Sequence, residues 1–311
     1  MSLLTVSHSL TSQSRRAELY QPFEVRCHKP SGRTGELSNH DFERVIRLLA
    51  QNPLYGIHLR SLIEDYGLVH AAHRGRFFGY YEDNQLAGVV LLGHAFLLFA
   101  ELGAEDDALG QFARIAADTW TEGHVIYGPR QQVETFWRHL EQHGFQTRLT
   151  RNHRLYVCHS PHSRPDRFQL QPATPAELEV VSNAQAEMVI EESGTDPRLK
   201  DPEGFRCRVT ERILRERTWV KIVDGKVIFK AELVSDTPDV IYLEGIWTHW
   251  QYRHSSLTQD CLVELVYRLF MNRQVLSLLA EAIEDSDIRV YEQAGFVYRE
   301  DYQARFLKPL S

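Results

Sequence analysis

Tyr242-Leu-Glu-Gly-Ile-Trp-Thr-His-Trp-Gln-Tyr-Arg-His-Ser-Ser-Leu257 is the stretch whose reading decides the fold. Val240 to Thr248 is rich in β-branched and aromatic residues and predicts a strand. From about Ser256 to Phe270, Leu257, Cys261, Leu262, Leu265, Val266 and Leu269 recur at helical spacing. Ser255 and Ser256 suit the N-cap of that helix. The connection is short, carries Arg253, and aims unpartnered first-turn N–H groups out of a helix whose dipole is positive at that end. Strand, tight turn and helix start together make an anion site.

Outward from this stretch the order of elements continues. Val220 to Val234 reads as a hairpin turning at Asp224-Gly225, and Leu276 to Ile283 as the next strand. A helix then runs into Asp287-Ile-Arg-Val-Tyr-Glu-Gln-Ala-Gly-Phe296, and Tyr302 to Leu307 reads as a last strand. Upstream, Thr174 with Glu177 predicts a capping box opening a helix over Leu178–Glu192, and Pro202–Arg217 a second helix.

This order, with the Tyr-x-x-x-Gly-Phe ending and the turn around Arg253, resembles the GNAT superfamily of N-acetyltransferases over about residues 168–311. From Asn52 onward the chain is similar to bacterial acetyltransferase-like proteins with an extra N-terminal domain of unknown function. Asn52-Pro53, Leu59-Arg-Ser61, Glu191-Glu192 with Gly194, and Phe229-Lys-Ala-Glu232 carry that likeness. The family's pyrophosphate loop reads Arg/Gln-x-x-Gly-x-Gly/Ala. Here Ser256 and Thr258 stand at its small positions and His254 where a further glycine is common. The family commonly has Asn near the end of the strand after the loop helix and at the start of the late helix, where this chain has Glu281 and Glu284.

The resemblance implies acetyl-CoA as cofactor, held by Ile246, Trp247, Thr248, Arg253, His254, Ser255, Ser256, Leu257 and Thr258. It implies transfer of an acetyl group to an amine of a small molecule or protein. Such transfer needs a base for the amine, donors for the carbonyl oxygen and an acid for the thiolate. The segment Ile246–Thr248 maps to the backbone donors, and Tyr291 to the acid, with Tyr packed beside Phe296 as the other reading. Glu244 is the candidate base, or else a strand carboxylate paired with Lys230 or another cation. His249 is a second candidate base, or a cap at the strand end. Glu187, Glu191 and Glu192 could receive the amine or form a solvated face. The substituted loop keeps a second reading open, in which an inactive GNAT-fold protein serves as a protein-binding or acyl-CoA-sensing regulator.

The first half repeats the pattern. Phe136-Trp-Arg-His-Leu-Glu-Gln-His-Gly-Phe145 shares Glu-Gln-x-Gly-Phe with the late helix, about half the chain away, and each lies downstream of a strand pair with a polar turn. The expected fold class is therefore α/β: two tandem GNAT-like units, each a mixed, mostly antiparallel sheet flanked by helices. The boundaries read as an arm over 1–38, a first unit over 39–159, a linker over 160–167 and the GNAT unit over 168–311. Glu101 to Asp107 stands where the first unit's anion loop would lie; it is acidic and repels a pyrophosphate, so one cofactor site at most is expected.

Composition limits the rest. A net charge of −7 excludes a general nucleic-acid binder. Cys27, Cys158, Cys207 and Cys261 are scattered and predict no disulfide or zinc site. No apolar run reaches the ~20 residues of a membrane span, and the start lacks a secretory pattern, so a cytoplasmic location is expected.

Overall fold

The computed structural model describes residues 32–308 except 102, 120–122, 168, 254, 272–274 and 282–284; the side chains of 193, 280, 281 and 285–287 also lie outside the description. The described strands form one twelve-stranded sheet. They are β1 (Arg33–Glu36), β2 (Gly75–Glu82), β3 (Gln85–Gly93), β4 (Ala95–Ala100), β5 (Val125–Pro129), β6 (Thr147–Cys158), β7 (Gln171–Pro172), β8 (Thr218–Val223), β9 (Lys226–Asp236), β10 (Val240–Thr248), β11 (Val275–Glu281) and β12 (Val297–Leu307). The order across the sheet is β1-β2-β3-β4-β5-β12-β6-β11-β10-β9-β8-β7.

That order is symmetric about its centre. Each first-half strand has a second-half counterpart at the same distance from the β12–β6 pair. Only β4–β5 and β10–β11 are parallel; every other pair is antiparallel. The last strand of each half is exchanged: β12 pairs with β5, and β6 pairs with β11. The two units are thus joined through a long β12–β6 ladder running from Val297↔Val157 to Leu307↔Thr147. Both strands are longer than their sequence pattern suggests, because their polar outer residues are held by pairing with the other half. One expectation is corrected at the start: Arg33–Glu36, assigned to the arm, pairs antiparallel with β2.

Helices cover both faces. α1 (Phe42–Gln51) and α2 (Ile57–Tyr66) pack on one face of the first half, with Leu49, Leu59 and Ile63 buried against Phe77 and Val89. α3 (Glu105–Thr119) and α4 (Arg130–Leu140) cover the other, around Phe112 and Phe136. In the second half α5 (Leu178–Ser193), the short α6 (Pro197–Lys200) and α7 (Pro202–Leu214) lie on one face. α8 (Leu257–Phe270) and α9 (Asp285–Gln293) lie on the other. Local chemistry fixes these elements. Asp83 and Asn84 take positive φ in the β2–β3 turn, as a two-residue hairpin requires. Thr174 N donates to Glu177 Oε2 at 2.6 Å in the expected capping box. α7 stops three residues short of Arg217, at a turn where Glu216 has φ +55.

α2 locks the halves together. Ile57 packs with Val240 and Tyr242 of β10. Asp65 accepts from both Arg217 nitrogens at 2.6 and 2.8 Å and lies 2.8 Å from Arg215. Arg60 reaches Asp239, and Tyr66 reaches Glu211. No described helix is long and apolar enough to cross a membrane.

Candidate active site

β10 and β11 pair from Val240↔Val275 to Leu243↔Leu278 and then part. β10 stays with β9, while β11 stays with β6 as far as Glu281↔His153. A fork opens between them, and a β-bulge sits on β10 beside it, between Glu244 and Trp247. Gly245 holds φ +58 in that bulge, and a Cβ there would meet Lys230 Nζ at 3.2 Å. The Lys230 side chain is fully buried; its ammonium donates to Glu232 Oε1 at 3.0 Å and to the Gly245 carbonyl at 3.3 Å. Arg212 binds the other Glu232 oxygen. Burial lowers the Lys230 pKa, and Glu232 opposes that shift. In a planar trans peptide C=O and N–H point in opposite directions, so anchoring Gly245 O turns the Ile246 N–H away from Lys230.

On the α8–α9 face of β10 lies a recess of about 380 Å³. Ile246, Thr248, Arg253, Ser255, Ser256, Thr258 and Tyr291 line it, with Gln259 and Val290. Residues chosen from one loop and one late helix thus meet around one space. Arg253 is already engaged: Nε donates to Thr248 O at 2.9 Å and a terminal nitrogen to Glu191 at 2.5 Å. Glu191 also accepts from Trp247 Nε1 at 3.2 Å, on the opposite face of the strand. Glu191 therefore braces the turn, and Trp247 buries its ring among α5 and α7 rather than lining the recess. Leu257 packs into the core under α8. His254 lies outside the described residues.

At Ser256, the first of the small positions, the described backbone does not need glycine. Arg253 has φ −63 and Ser256 φ −69, ordinary helical values. Thr258 Oγ1 turns back to Thr248 Oγ1 at 2.8 Å, and Ser256 Oγ donates to Asp260 at 2.7 Å. Ser255 Oγ accepts from Leu257 N at 3.2 Å. The next first-turn amides, Thr258 and Gln259, have no acceptor within the helix. Ser255 alone of these hydroxyls caps the helix, and the recess stays open before the remaining amides, so an anionic pyrophosphate fits this donor set.

On the other face of β10 lies a larger cleft of about 660 Å³, built by both halves. His58, Ser61 and Leu62 of α2, Leu97 of β4, Tyr127 of β5, Arg151 of β6, Glu192 of α5, and Tyr242 and Glu244 of β10 all reach it. Burial pushes the His58 imidazole down to about 4, so it is a neutral wedge between Tyr127 and Tyr242, with ring centroids 5.4 and 4.6 Å away. Glu244 is exposed on the open side of the cleft, and the protein packed around its inner side raises its carboxyl by desolvation, with Glu232 and Glu192 adding to the shift against Arg212 and Lys230. Lys230 takes Glu232, and not Glu244, as its ion-pair partner, and Glu244 borders the cleft. His249 Nδ1 accepts from Gln251 N at 3.4 Å, the capping alternative. Glu187 borders a separate recess with Asn183 and Arg198. His58 and Tyr127 escaped the sequence reading because they lie far along the chain, in the other half. The Lys230–Glu232 pair was legible as two charges spaced to share a strand face.

Residues 75–181 match a family model described as a domain of unknown function (DUF4081). No curated protein matches the sequence. Solved structures match nearly the whole chain. A GNAT-family acetyltransferase from Colwellia psychrerythraea is 12% identical at TM-score 0.56, covering 89% of this chain and 100% of that one. A GCN5-related N-acetyltransferase from Sphaerobacter thermophilus is 14% identical at 0.55, covering 89% and 95%. A tandem GNAT protein from the clavulanic acid biosynthesis pathway is 12% identical at 0.55, covering 89% and 98%. At such identities the likeness is one of fold: the chain has the GNAT acetyltransferase fold in tandem.

Proposed function

We propose that the protein is an acetyl-CoA-dependent N-acyltransferase, with cofactor in the α8–α9 recess and an amine acceptor, on a small molecule or a protein side chain, in the two-half cleft. The observation that carries this reading is Glu244. It is a carboxylate with a raised pKa at the mouth of the fork, in the acceptor cleft and two residues from Ile246 in the cofactor recess.

Bound at Ser255, Ser256, Thr258 and the α8 amides, acetyl-CoA supplies an acyl group activated as a thioester. Glu244 takes the proton that the acceptor ammonium must lose, and its raised pKa suits it to hold that proton. The Ile246 N–H, turned by the Lys230–Gly245 bond, donates to the carbonyl oxygen as negative charge grows there. The freed amine attacks the thioester carbon, and as the C–S bond breaks Tyr291, which lines the same recess as Ile246, would give its phenolic proton to the departing sulfur, its reference pKa of ~10 lying near that of a thiol. The second proton shed by the nitrogen restores the phenol, and the one on Glu244 leaves to solvent.

Calorimetric titration with acetyl-CoA tests the cofactor half. Micromolar binding is expected, weakened at least tenfold by Ser256→Glu, whose carboxylate meets the α8 amides first. Absence of binding at millimolar acetyl-CoA sinks the reading. The engagement of Arg253 by Glu191 favours a second reading, an acyl-CoA-sensing or protein-binding regulator. Tight binding without thiol release across an amine panel would select it.

A further inference from the structure

The first half carries a fork of its own. β4 and β5 pair over Ala95–Leu97 and Val125–Tyr127 and then separate, as β10 and β11 do. The recess there measures about 510 Å³ and is walled in part by Tyr55, Phe99 and Pro129. Its charges are of one sign. Glu101, Glu105 and Glu300 line it, and among the described residues none has a cationic side chain within ion-pair distance. Arg130, the nearby cation, is paired with Glu134 at 2.7 Å and Asp301 at 3.7 Å.

Two acceptors of residues lining this recess are buried and, among the described residues, unsatisfied. Gln132 is 8% exposed; its Nε2 donates to Ala100 O at 3.0 Å, while its Oε1 has no partner. Reversing the amide would set oxygen against oxygen, so the orientation is fixed by its neighbours. Glu300 Oε2 is likewise buried without a partner. Tyr55 lines the same recess, and burial, with the nearby Glu300 carboxylate adding to it, pushes its phenol up to about 12, which keeps it protonated and able to donate. Burial also raises the Glu105 carboxyl, and Glu300 and Asp106 add to the shift against the bond from Gln132. Buried acceptors left unmade cost stability unless a ligand supplies donors.

We propose that the first-half fork is a binding site for a small aliphatic polyammonium compound, its ammonium groups on Glu300, Glu105 and Gln132 Oε1 and its carbon chain along Tyr55 and Phe99. The space is sized for a molecule rather than an ion. Among the described residues no group of three or more His, Cys, Asp or Glu is close enough to hold a metal. Nothing in this site depends on acyl transfer.

The test is calorimetry on the full chain at low salt without acetyl-CoA, using spermidine, putrescine and the uncharged butane-1,4-diol. Expected are one spermidine per chain, weaker putrescine and no heat from the diol. Glu300→Gln and Gln132→Leu should each weaken spermidine about tenfold or more. Glu105→Gln, half-exposed, repeats the test should the buried variants fail to fold. Glu203→Gln changes the charge equally on the exposed surface of α7 and should leave binding unaltered. Absence of spermidine binding overturns the proposal. So does an equal loss in Glu203→Gln, which would mark diffuse attraction to a chain of net charge −7.

Discussion

The two forks of this molecule share a topology and differ in charge. In both, a parallel strand pair parts after three or four residues and a helix start faces the gap. In the second half that start lines the gap with Ser255, Ser256 and Thr258, small hydroxyls of which Ser255 caps Leu257 N, and its one first-turn acid, Asp260, is bonded by Ser256 and lies outside the lining of the recess. In the first half Glu105, Asp106 and Asp107 fill the first turn of α3 and satisfy its dipole from within. Gln132 then bonds the strand end at Ala100. On the cleft side, Glu244 stands just past the last β10 pair, while β4 presents Leu97 to the same cleft. Strand parting provides room, and the side chains at the helix start decide which charge can enter it.

The widest gap between the forks should open with Glu244→Gln. The amide keeps the shape and cannot take a proton, so kcat should fall by about 10²–10³ with little change in KM. Steady-state thiol release with the best amine reads it. The acidic limb of the wild-type rate profile should titrate above the ordinary carboxylate range, because rate needs the ionised form and the folded site holds the proton more tightly. A variant with wild-type kcat would move the base elsewhere in the cleft.

Lys230→Met attacks the bulge that only the second fork has. It removes the buried partner of Glu232 and the anchor of Gly245 O together. Loss of one member of a buried pair costs about 3 kcal/mol, lowering the urea midpoint. At temperatures where the variant is folded, kcat should drop more than acetyl-CoA affinity, since the Ile246 N–H loses its fixed direction. Lys230→Arg, which keeps the charge and a donor, should recover part of kcat. Equal losses in Kd and kcat would reduce Lys230 to a packing role.

Much of this comparison was legible in the sequence, because it rests on local signals. The hydrophobic period of α8, the Asp224-Gly225 turn, the Thr174–Glu177 box and the paired Glu-Gln-x-Gly-Phe endings each report a short stretch of backbone. So did the acidic run after β4. What the sequence hid is non-local. The exchange of β6 and β12 depends on which ladder the two strands complete, and either half's β-pattern would serve both. In the sequence Glu191 is either an acid that receives the amine or part of a solvated helix face, and its bonds to Arg253 and Trp247 exist only once α5 lies across β10. The cleft draws His58 and Tyr127 from one half and Glu244 from the other, so no single motif contains it.

His58 offers a smaller effect, tied to the contact between the halves. Its folded pKa of about 4 lies below the ordinary ~6.5, so the fold favours the neutral ring. Between those values the unfolded chain binds a proton that the folded chain refuses. Stability should therefore decline as pH falls from ~6.5 to ~4, by up to about 3 kcal/mol from this group. Urea unfolding at pH 7 and pH 5 measures the decline, and His58→Phe should shrink it. An undiminished slope in the variant would shift the cause to other histidines.

The smallest expected effect is the most telling about the loop. If glycine were needed at the small positions, Ser256→Gly would sharpen cofactor binding strongly. Yet Ser256 sits at φ −69, ψ −2, where a Cβ costs nothing, and its hydroxyl points to Asp260. An N-cap exchanged from Ser to Gly loses only a few tenths of a kcal/mol. Acetyl-CoA affinity should therefore change by less than about threefold, a few tenths of a kcal/mol on the same scale. A tenfold gain would show that the Cβ obstructs the phosphate, and the open recess before Ser256 would then be too narrow for the pyrophosphate it is assigned. A flat result would mean that what separates the fork proposed to hold the cofactor from its acidic twin is the hydroxyl side chains at the start of α8 in place of the carboxylates at the start of α3, and not the presence of glycine; Glu281 and Glu284 lie outside the described side chains.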